Sequence, residues 1–241
     1  MKKGNLAIHF KNVSKKYLIN HEKSTLIGKI TSVGDKEKFL AVNKVNLTIK
    51  KGEIVGIIGD NGSGKTTLLK LIAGITKASS GQIKTEGKII SLLDIETGFH
   101  ADLTGEQNIY LNGLILGMSR EEIDIKKKSI IDFADIGKFI NAPMYTYSAG
   151  MKVRLGFAVA IHADSDVLIF DEQLSVGDNN FHIKADRKIL EQFQNGKTVV
   201  VVSHFLPFLR DTCQRILMMK NGKVIYDGGI DLLDKYENNL I

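Results

Sequence analysis

The sequence predicts an α/β fold. It has a parallel sheet covered on both faces, a half-exposed antiparallel unit ahead of it, and a helical insertion through the middle of the chain. Three observations carry this. Continuous apolar runs ending in polar residues occur at EIVGIIGD (53–60), DVLIFDE (166–172) and TVVVVSH (198–204). That is the pattern of strands buried on both faces, which deliver functional groups at their C-terminal ends. The first run leads into GDNGSGKTT and then an apolar helix. Between about 100 and 163 the patterning is helical, with no strand of comparable quality.

Taken in order, LAIHFKNV (6–13) and VNLTIK (45–50) alternate apolar with polar residues and predict half-exposed antiparallel strands. Between Tyr17 and Phe39, Leu26, Ile30 and Val33 fall at i, i+4 and i+7 with Ile27 beside them, a short apolar helical stripe. The buried strand Ile54 to Ile58 precedes a glycine-rich turn and a helix from Thr67 to Ile75. The insertion opens with Thr104 as N-cap and Gln107 three residues later, the spacing of a capping box. SREEIDIKKKSIIDFADI and the run from Ser148 to Ala163 continue the helices. Near the end, ILMMKNGKVIYDG predicts a hairpin turning at Asn221-Gly222.

A chain of 241 residues suits one large domain or a core with an inserted subdomain. Apolar residues at 43% and charged residues at 25% are ordinary values for a soluble globular protein. No apolar run reaches the roughly 18–20 residues that span a bilayer. The start, MKKGNLAIHF, lacks the apolar stretch of a signal peptide, so no secretion is expected. The single cysteine, Cys213, excludes an internal disulfide, suits a reducing compartment, and is expected as a small packed hydrophobe on a helix. A net charge of +6 and a pI near 9.2 come from dispersed lysines (15–16, 50–51, 126–128) without a basic tail, as a solvated surface would show.

Gly59 to Thr66 fits G-x-x-x-x-G-K-[ST], between a buried strand and an apolar helix. Glycines at such a turn let backbone N–H groups converge on phosphate oxygens, and the helix N-terminus adds positive potential. The expected nucleotide-binding set is therefore Gly59, Asn61, Gly62, Ser63, Gly64, Lys65, Thr66 and Thr67. Lys65 would neutralise β- and γ-phosphate charge, and the Thr66 hydroxyl would face Mg²⁺. Asp171, at the end of a buried strand, is placed to hold the same ion, and Glu172 to polarise an attacking water. His204 ends the next apolar strand, where it could meet the γ-phosphate. In TYSAGMKVRL (146–155), Ser148 on its own reads as a helix N-cap.

Together these features resemble the ATP-binding subunits of ABC transporters, over essentially the whole chain. The family's signature, usually Leu-Ser-Gly-Gly-Gln, appears as Tyr147-Ser148-Ala149-Gly150-Met151, with Ser148 24 residues before Glu172. SVGD (175–178) looks like the D-loop and Tyr17 like the adenine-stacking aromatic. The resemblance implies ATP and Mg²⁺ as ligands and a homodimer in which Ser148 and Gly150 of one subunit bind a γ-phosphate held by the other. It also implies a P-loop NTPase (RecA-like) core with an antiparallel β-subdomain (1–93 and 164–241) and an inserted α-helical subdomain (94–163).

FHADLTGEQNIYLNGLILGMSREEI and YSAGMKVRLGFAVAIHADSDVLIFDEQLSVGD resemble more closely the exporters of bacterial surface polysaccharides, such as the O-antigen, capsule and teichoic-acid ATPases of the ABC-2 class. Their signature commonly reads Tyr-Ser-Ser/Gly-Gly-Met, and their Walker B strand runs into Ala-Val-Gly-Asp. This implies a separate integral membrane permease, a peripheral position on the cytoplasmic face of the bacterial inner membrane, and no nucleic-acid partner. Leu26, Ile27 and Ile30 would lie near the permease or its glycan lipid, and Phe99 and Leu103 would receive a cytoplasmic helix of the permease. The chain departs from the family at three points. The glutamine that usually opens the helical insertion is replaced within SLLDIETGFH, where Asp94 or Glu96 is the alternative metal contact. Ala149 stands where glycine or serine is usual, and no extra carbohydrate-binding domain of the kind some O-antigen ATPases carry is expected. The alternatives are an ABC-2 ATPase for a drug, lipid or peptide cargo, a nucleic-acid-associated ABC ATPase, and a nucleotide-gated module without hydrolysis.

Overall fold

The computed structural model describes residues 5–19, 37–93, 95–171 and 179–238. The expectations placed on Leu26, Ile27 and Ile30, on Asp94, and on Glu172 with SVGD (175–178) lie outside the described residues. In chain order, β1 (Leu6–Ile19) and β2 (Glu37–Lys50) precede β3 (Ile54–Ile58), the glycine-rich turn and α1 (Lys65–Ile72). After β4 (Ser80–Thr85) and β5 (Ile89–Ser91) come α2 (Gly105–Ile115), α3 (Arg120–Ala134) and α4 (Ala149–His162). Short 3₁₀ turns at Gly137–Asn141 and Met144–Thr146 lie between α3 and α4. The chain closes through β6 (Val167–Asp171), α5 (Asn179–Gln194), β7 (Thr198–Val202), α6 (Leu206–Thr212), β8 (Arg215–Lys220), β9 (Lys223–Gly228) and α7 (Asp231–Glu237).

The larger sheet has the order β5-β6-β7-β3-β8-β9, parallel except for β9. Its central strands are buried at every residue, as their unbroken apolar runs require. Side chains alternate between two cores. Leu168, Phe170, Val199 and Val201 face one, with the helical insertion, α5 and α6. Val167, Ile169, Val200 and Val202 face the other, with α1 and the antiparallel sheet. That second sheet has the order β2-β1-β4. The hairpin turns at Asn221-Gly222, both with positive φ (51° and 74°), as expected.

β1 and β2 run further than their alternating segments. The register shifts near Asn12 and Lys44, which adopt left-handed φ of 52° and 49°, break the period but not the pairing. β4 and β5 were not expected from the sequence. β4 is an exposed edge strand of polar residues and glycine, and β5 has three residues, so neither shows a period. Cys213 lies just beyond α6 as its C-cap residue, buried, and burial pushes its thiol up to about 11. Among the described residues no helix is long and apolar enough to cross a membrane.

α2, α3 and α4 all fall between β5 and β6. Thr104 and Gln107 form the expected capping box, with N–H to side-chain distances of 3.2 and 2.9 Å, and Ser119 with Glu122 forms a second one. Phe133, Phe157 and Phe181 from α3, α4 and α5 meet at centroid distances of 5.5–6.0 Å, the first two stacked and Phe181 edge-on to both, joining the insertion to α5. Gly156 on α4 lies against the backbone of Ile95. A Cβ at Gly156 would stand 2.5 Å from the Ile95 carbonyl oxygen, so only glycine fits this approach. The lysine run of α3 is paired: Lys126 with Asp164, Lys127 with Glu106 and Lys128 with Asp132, at 3.3, 2.7 and 2.6 Å.

Asn108 is wholly buried and holds the loop before α2. Its Nδ2 donates to the carbonyls of His100, Leu103 and Thr104 at 3.0–3.1 Å, and its Oδ1 accepts from the His100 N–H at 2.8 Å. Asn108→Ala removes the acceptor of the His100 N–H and one donor from each of the three carbonyls, which keep their backbone donors, and is expected to lower stability by about 1–2 kcal/mol. A urea midpoint unchanged from the wild type would refute this account of the loop.

Candidate functional site

β3 ends at Ile58 and the chain turns back through Gly59 to Gly64 before α1 begins at Lys65. The turn is compact because two glycines accept contacts that no other residue could. A Cβ on Gly59 (φ 138°) would sit 2.1 Å from the Met219 carbonyl oxygen, and one on Gly64 (φ 105°) 2.3 Å from that of Ala41. β8 and β2 therefore press directly on the loop. Whereas α2, α3 and α4 each begin with a side-chain cap, α1 begins at Gly64 with no side-chain cap and no acidic residue in its first turn. Its first N–H groups are left for an outside acceptor, in positive potential. The buried Ser63 hydroxyl has no hydrogen-bond partner among the described residues.

Lys65 folds back over the turn, donating to the carbonyls of Gly59 and Asp60 at 2.6 and 3.0 Å. Burial holds its ammonium below the ordinary lysine value, while Asp171 and Asp60 pull in the opposite direction. A cleft of about 250 Å³ opens above the turn. It is lined by Asn61, Gly62, Gly64, Lys65, Thr66 and Thr67, with Asp171 at its far side and Phe39 and Ala41 from β2 along its edge. The Thr66 Oγ1 stands 3.4 Å from Asp171 Oδ2. A hydroxyl and a buried carboxylate facing one another beside a phosphate cradle fit Mg²⁺, which takes one or two protein oxygens and completes its shell with phosphate and water. No cage of three acidic, histidine or cysteine side chains exists among the described residues, in keeping with that sharing.

The other expected residues are distributed around this cleft. His204 is exposed directly after β7, on a turn closed by Ser203, whose Oγ accepts from the Phe205 N–H at 2.9 Å. Glu96 is exposed and does not line the cleft. Tyr17 lies on β1, opposite Phe39 in the strand register, and is not among the lining residues. Phe39 is the functional candidate that sequence reading missed, because its alternation with Ala41 is indistinguishable from ordinary strand patterning.

Ser148 and Gly150 open α4. Ser148 Oγ accepts from the Met151 N–H at 3.2 Å, the expected cap. Tyr147, ahead of it, is buried and donates to the Phe139 carbonyl at 2.5 Å. Its hydroxyl occupies the space where a Cβ on Gly105 would be, which locks the start of α4 to the start of α2. Arg154 reaches the carbonyls of Ala134 and Asp135 at 2.9 and 2.8 Å, capping α3 from α4. Gly150 differs from these neighbours. A Cβ there would meet nothing nearer than Ser148 Oγ at 4.0 Å, and its φ is not left-handed. Among the described residues nothing requires glycine here, a residue that disfavours helix relative to alanine.

Comparisons with known proteins follow the same lines. The family described as ABC transporter matches residues 42–175. An O-antigen export system ATP-binding protein of Myxococcus xanthus is 47% identical over 79% of this chain and 44% of its own length. A teichoic acids export ATP-binding protein of Bacillus anthracis is 42% identical over 98% of the chain and 43% of its own length. The chain thus spans less than half of these two relatives. An O-antigen export ATP-binding protein of Klebsiella pneumoniae is 38% identical over 90% of the chain and 91% of its own length. Among solved structures, a dimeric ATP-binding cassette in a post-hydrolysis state with ADP and Pi has a TM-score of 0.71 at 25% identity. That match covers 92% of this chain and 98% of the other.

Proposed function

This chain belongs to the ABC transporter family, and from that premise we propose that it is the ATP-hydrolysing subunit of an exporter of a lipid-linked surface polysaccharide. It works as one ATPase domain in which 94–163 form the helical insertion. The cargo class rests on relatives named for O-antigen and teichoic-acid export. The chain sits on the cytoplasmic face of the membrane, bound to a separate permease. Phe99 and Leu103, together with the exposed Leu114 and Ile115 at the end of α2, supply the apolar surface for a permease helix. The paired lysine run of α3 gives no support to a nucleic-acid partner.

The loop N–H groups and the uncapped start of α1 bind the β- and γ-phosphates of ATP. Lys65 exchanges the carbonyls of Gly59 and Asp60 for phosphate oxygens, so its charge is already on the site before the ligand arrives. Thr66 and Asp171 would hold Mg²⁺, which would supply positive charge to offset the charge developing on the phosphate oxygens. Glu172 accepts the proton of the attacking water, and His204 contacts the γ-phosphate. Ser148 and Gly150 complete the site from a second copy of the chain. The observation that carries this composite site is Gly150, whose missing side chain leaves room that none of the described residues fills.

Mixing tests it. Lys65→Met and Ser148→Arg chains are each expected to be inactive as homodimers. In a mixed dimer one site keeps both Lys65 and Ser148, so an equimolar mixture should recover about a quarter of wild-type ATPase activity. A mixture as inactive as its components would sink the composite site.

A further inference from the structure

We infer that Ser129 is a nucleophile activated by His162, a second reactive site on the chain that takes an acyl group from small acyl phosphates. Ser129 is exposed on α3, and its Oγ stands 2.9 Å from Nε2 of His162, the last residue of α4. The other ring nitrogen, Nδ1, lies 2.7 Å from the Ala158 carbonyl. A carbonyl only accepts, so Nδ1 carries the proton and the neutral ring presents Nε2 as an acceptor. The Ser129 hydroxyl therefore donates to Nε2. Hydroxyl, imidazole and orienting acceptor are linked in series, the arrangement that marks an activated nucleophile. Phe133 meets the imidazole edge-on at a centroid distance of 5.6 Å and, with the Ala158 carbonyl, fixes the ring. α4 has 14 residues, so this end of it lies about 20 Å from Ser148 and Gly150, and the pair takes no part in the nucleotide site.

The surroundings keep the base in its working form. Burial holds His162 below the ordinary histidine value, and Lys188 and Lys184 on α5 and Lys126 on α3 push the same way, against the pull of the Ala158 carbonyl. Each of these lysines is held in place. Lys126 pairs with Asp164 at 3.3 Å and Lys188 with Glu191 at 2.6 Å, while Lys184 donates to the Asp132 and Phe133 carbonyls at 3.1 and 2.9 Å. The positive field that disfavours an imidazolium favours a phosphate anion approaching Ser129 and the negative charge that develops on it as it leaves. In the step, Ser129 Oγ forms a bond to the acyl carbon and the bond from that carbon to the phosphate oxygen breaks. The serine proton passes through His162 Nε2 to the departing phosphate. The resulting ester has no hydroxyl proton to give, so acylation also severs this link between α3 and α4.

The experiment treats the full chain with acetyl phosphate and, in parallel, with a fluorophosphonate, and maps the modified peptides by mass spectrometry. Both reagents should modify Ser129 at least about a hundredfold faster than the other serines, the scale of a positioned general base. The rate should rise as His162 loses its proton, with a midpoint below the ordinary value of 6.5, and level off above it. This profile is read on the wild-type chain and does not depend on whether a substituted chain folds. His162→Gln should remove both the selectivity and the plateau, and Ser129→Ala should remove the modified peptide. Acetyl groups confined to lysines, a Ser129 no faster than other serines, or a rate that climbs with pH without levelling would each overturn the assignment.

Discussion

Replacing Lys65 with methionine is expected to reduce ATP turnover by about a hundredfold or more, the scale of removing one preorganised charge from a reacting centre, while the fold keeps its stability. The two halves of this expectation have one origin. Lys65 is buried with its ammonium on the Gly59 and Asp60 carbonyls, and burial already penalises its charged form. An apolar side chain of similar length removes that penalty and leaves two carbonyls on a turn next to the cleft, so the changes offset one another. Steady-state ATPase assays with thermal unfolding of both chains provide the check. Turnover within about tenfold of wild type would remove Lys65 from the reaction.

A pH dependence follows with a definite sign. The folded state holds the Lys65 ammonium below its ordinary value of 10.5. Between the lowered value and 10.5 the unfolded chain binds more protons, so this lysine makes stability rise with pH across that window. Stability measured across that window should rise less, or fall more, with pH for Lys65→Met than for wild type.

Glu172→Gln carries the second large effect. The preceding residue, Asp171, is buried at the end of β6 and faces Thr66. The amide keeps the shape of the carboxylate but cannot accept the proton of the attacking water. Loss of a general base is worth about 10²–10⁴ in rate, so turnover should fall at least about a hundredfold while ATP binding persists. On the proposed composite site, unhydrolysed ATP held between two copies keeps them together, so the variant should accumulate as an ATP-dependent dimer in gel filtration. Turnover close to wild type would assign the proton to another group.

Much of this arrangement was legible in the sequence. The strands that build the phosphate site are unbroken apolar runs, and burial on both faces leaves them no other composition. The loop announced itself because its chemistry demands small residues and a cation at fixed spacing. The cap at Ser148 and the capping box at Thr104 were readable for the same reason: local hydrogen bonds have local signatures. β4 and β5 were invisible because they exist through pairing with β1 and β6, and their own residues carry no period. Phe39 was hidden in the same way, since its place at the edge of the cleft comes from where the Ala41 carbonyl meets Gly64, a contact between residues 23 positions apart. Tyr147 drew attention as a departure from the family signature, and its reason is a hydroxyl that reaches Phe139 and fills the space beside Gly105. Glu96, offered by the sequence as a metal contact, sits away from the cleft because the turn at 95–98 faces it to solvent.

The approach of Ile95 to Gly156 has a mechanical consequence. Two backbones in bare contact, with no side chain between them, resist being pushed together steeply. They resist being drawn apart only by dispersion, about 0.1–0.2 kcal/mol per atom pair. Such a junction behaves as a one-way thrust bearing. Motion of the segment at Ile95 toward α4 is passed on at once to Ser148 and Gly150 at the head of that helix. Separating the two forfeits only that dispersion, so the junction pushes on the head of the helix but scarcely pulls it.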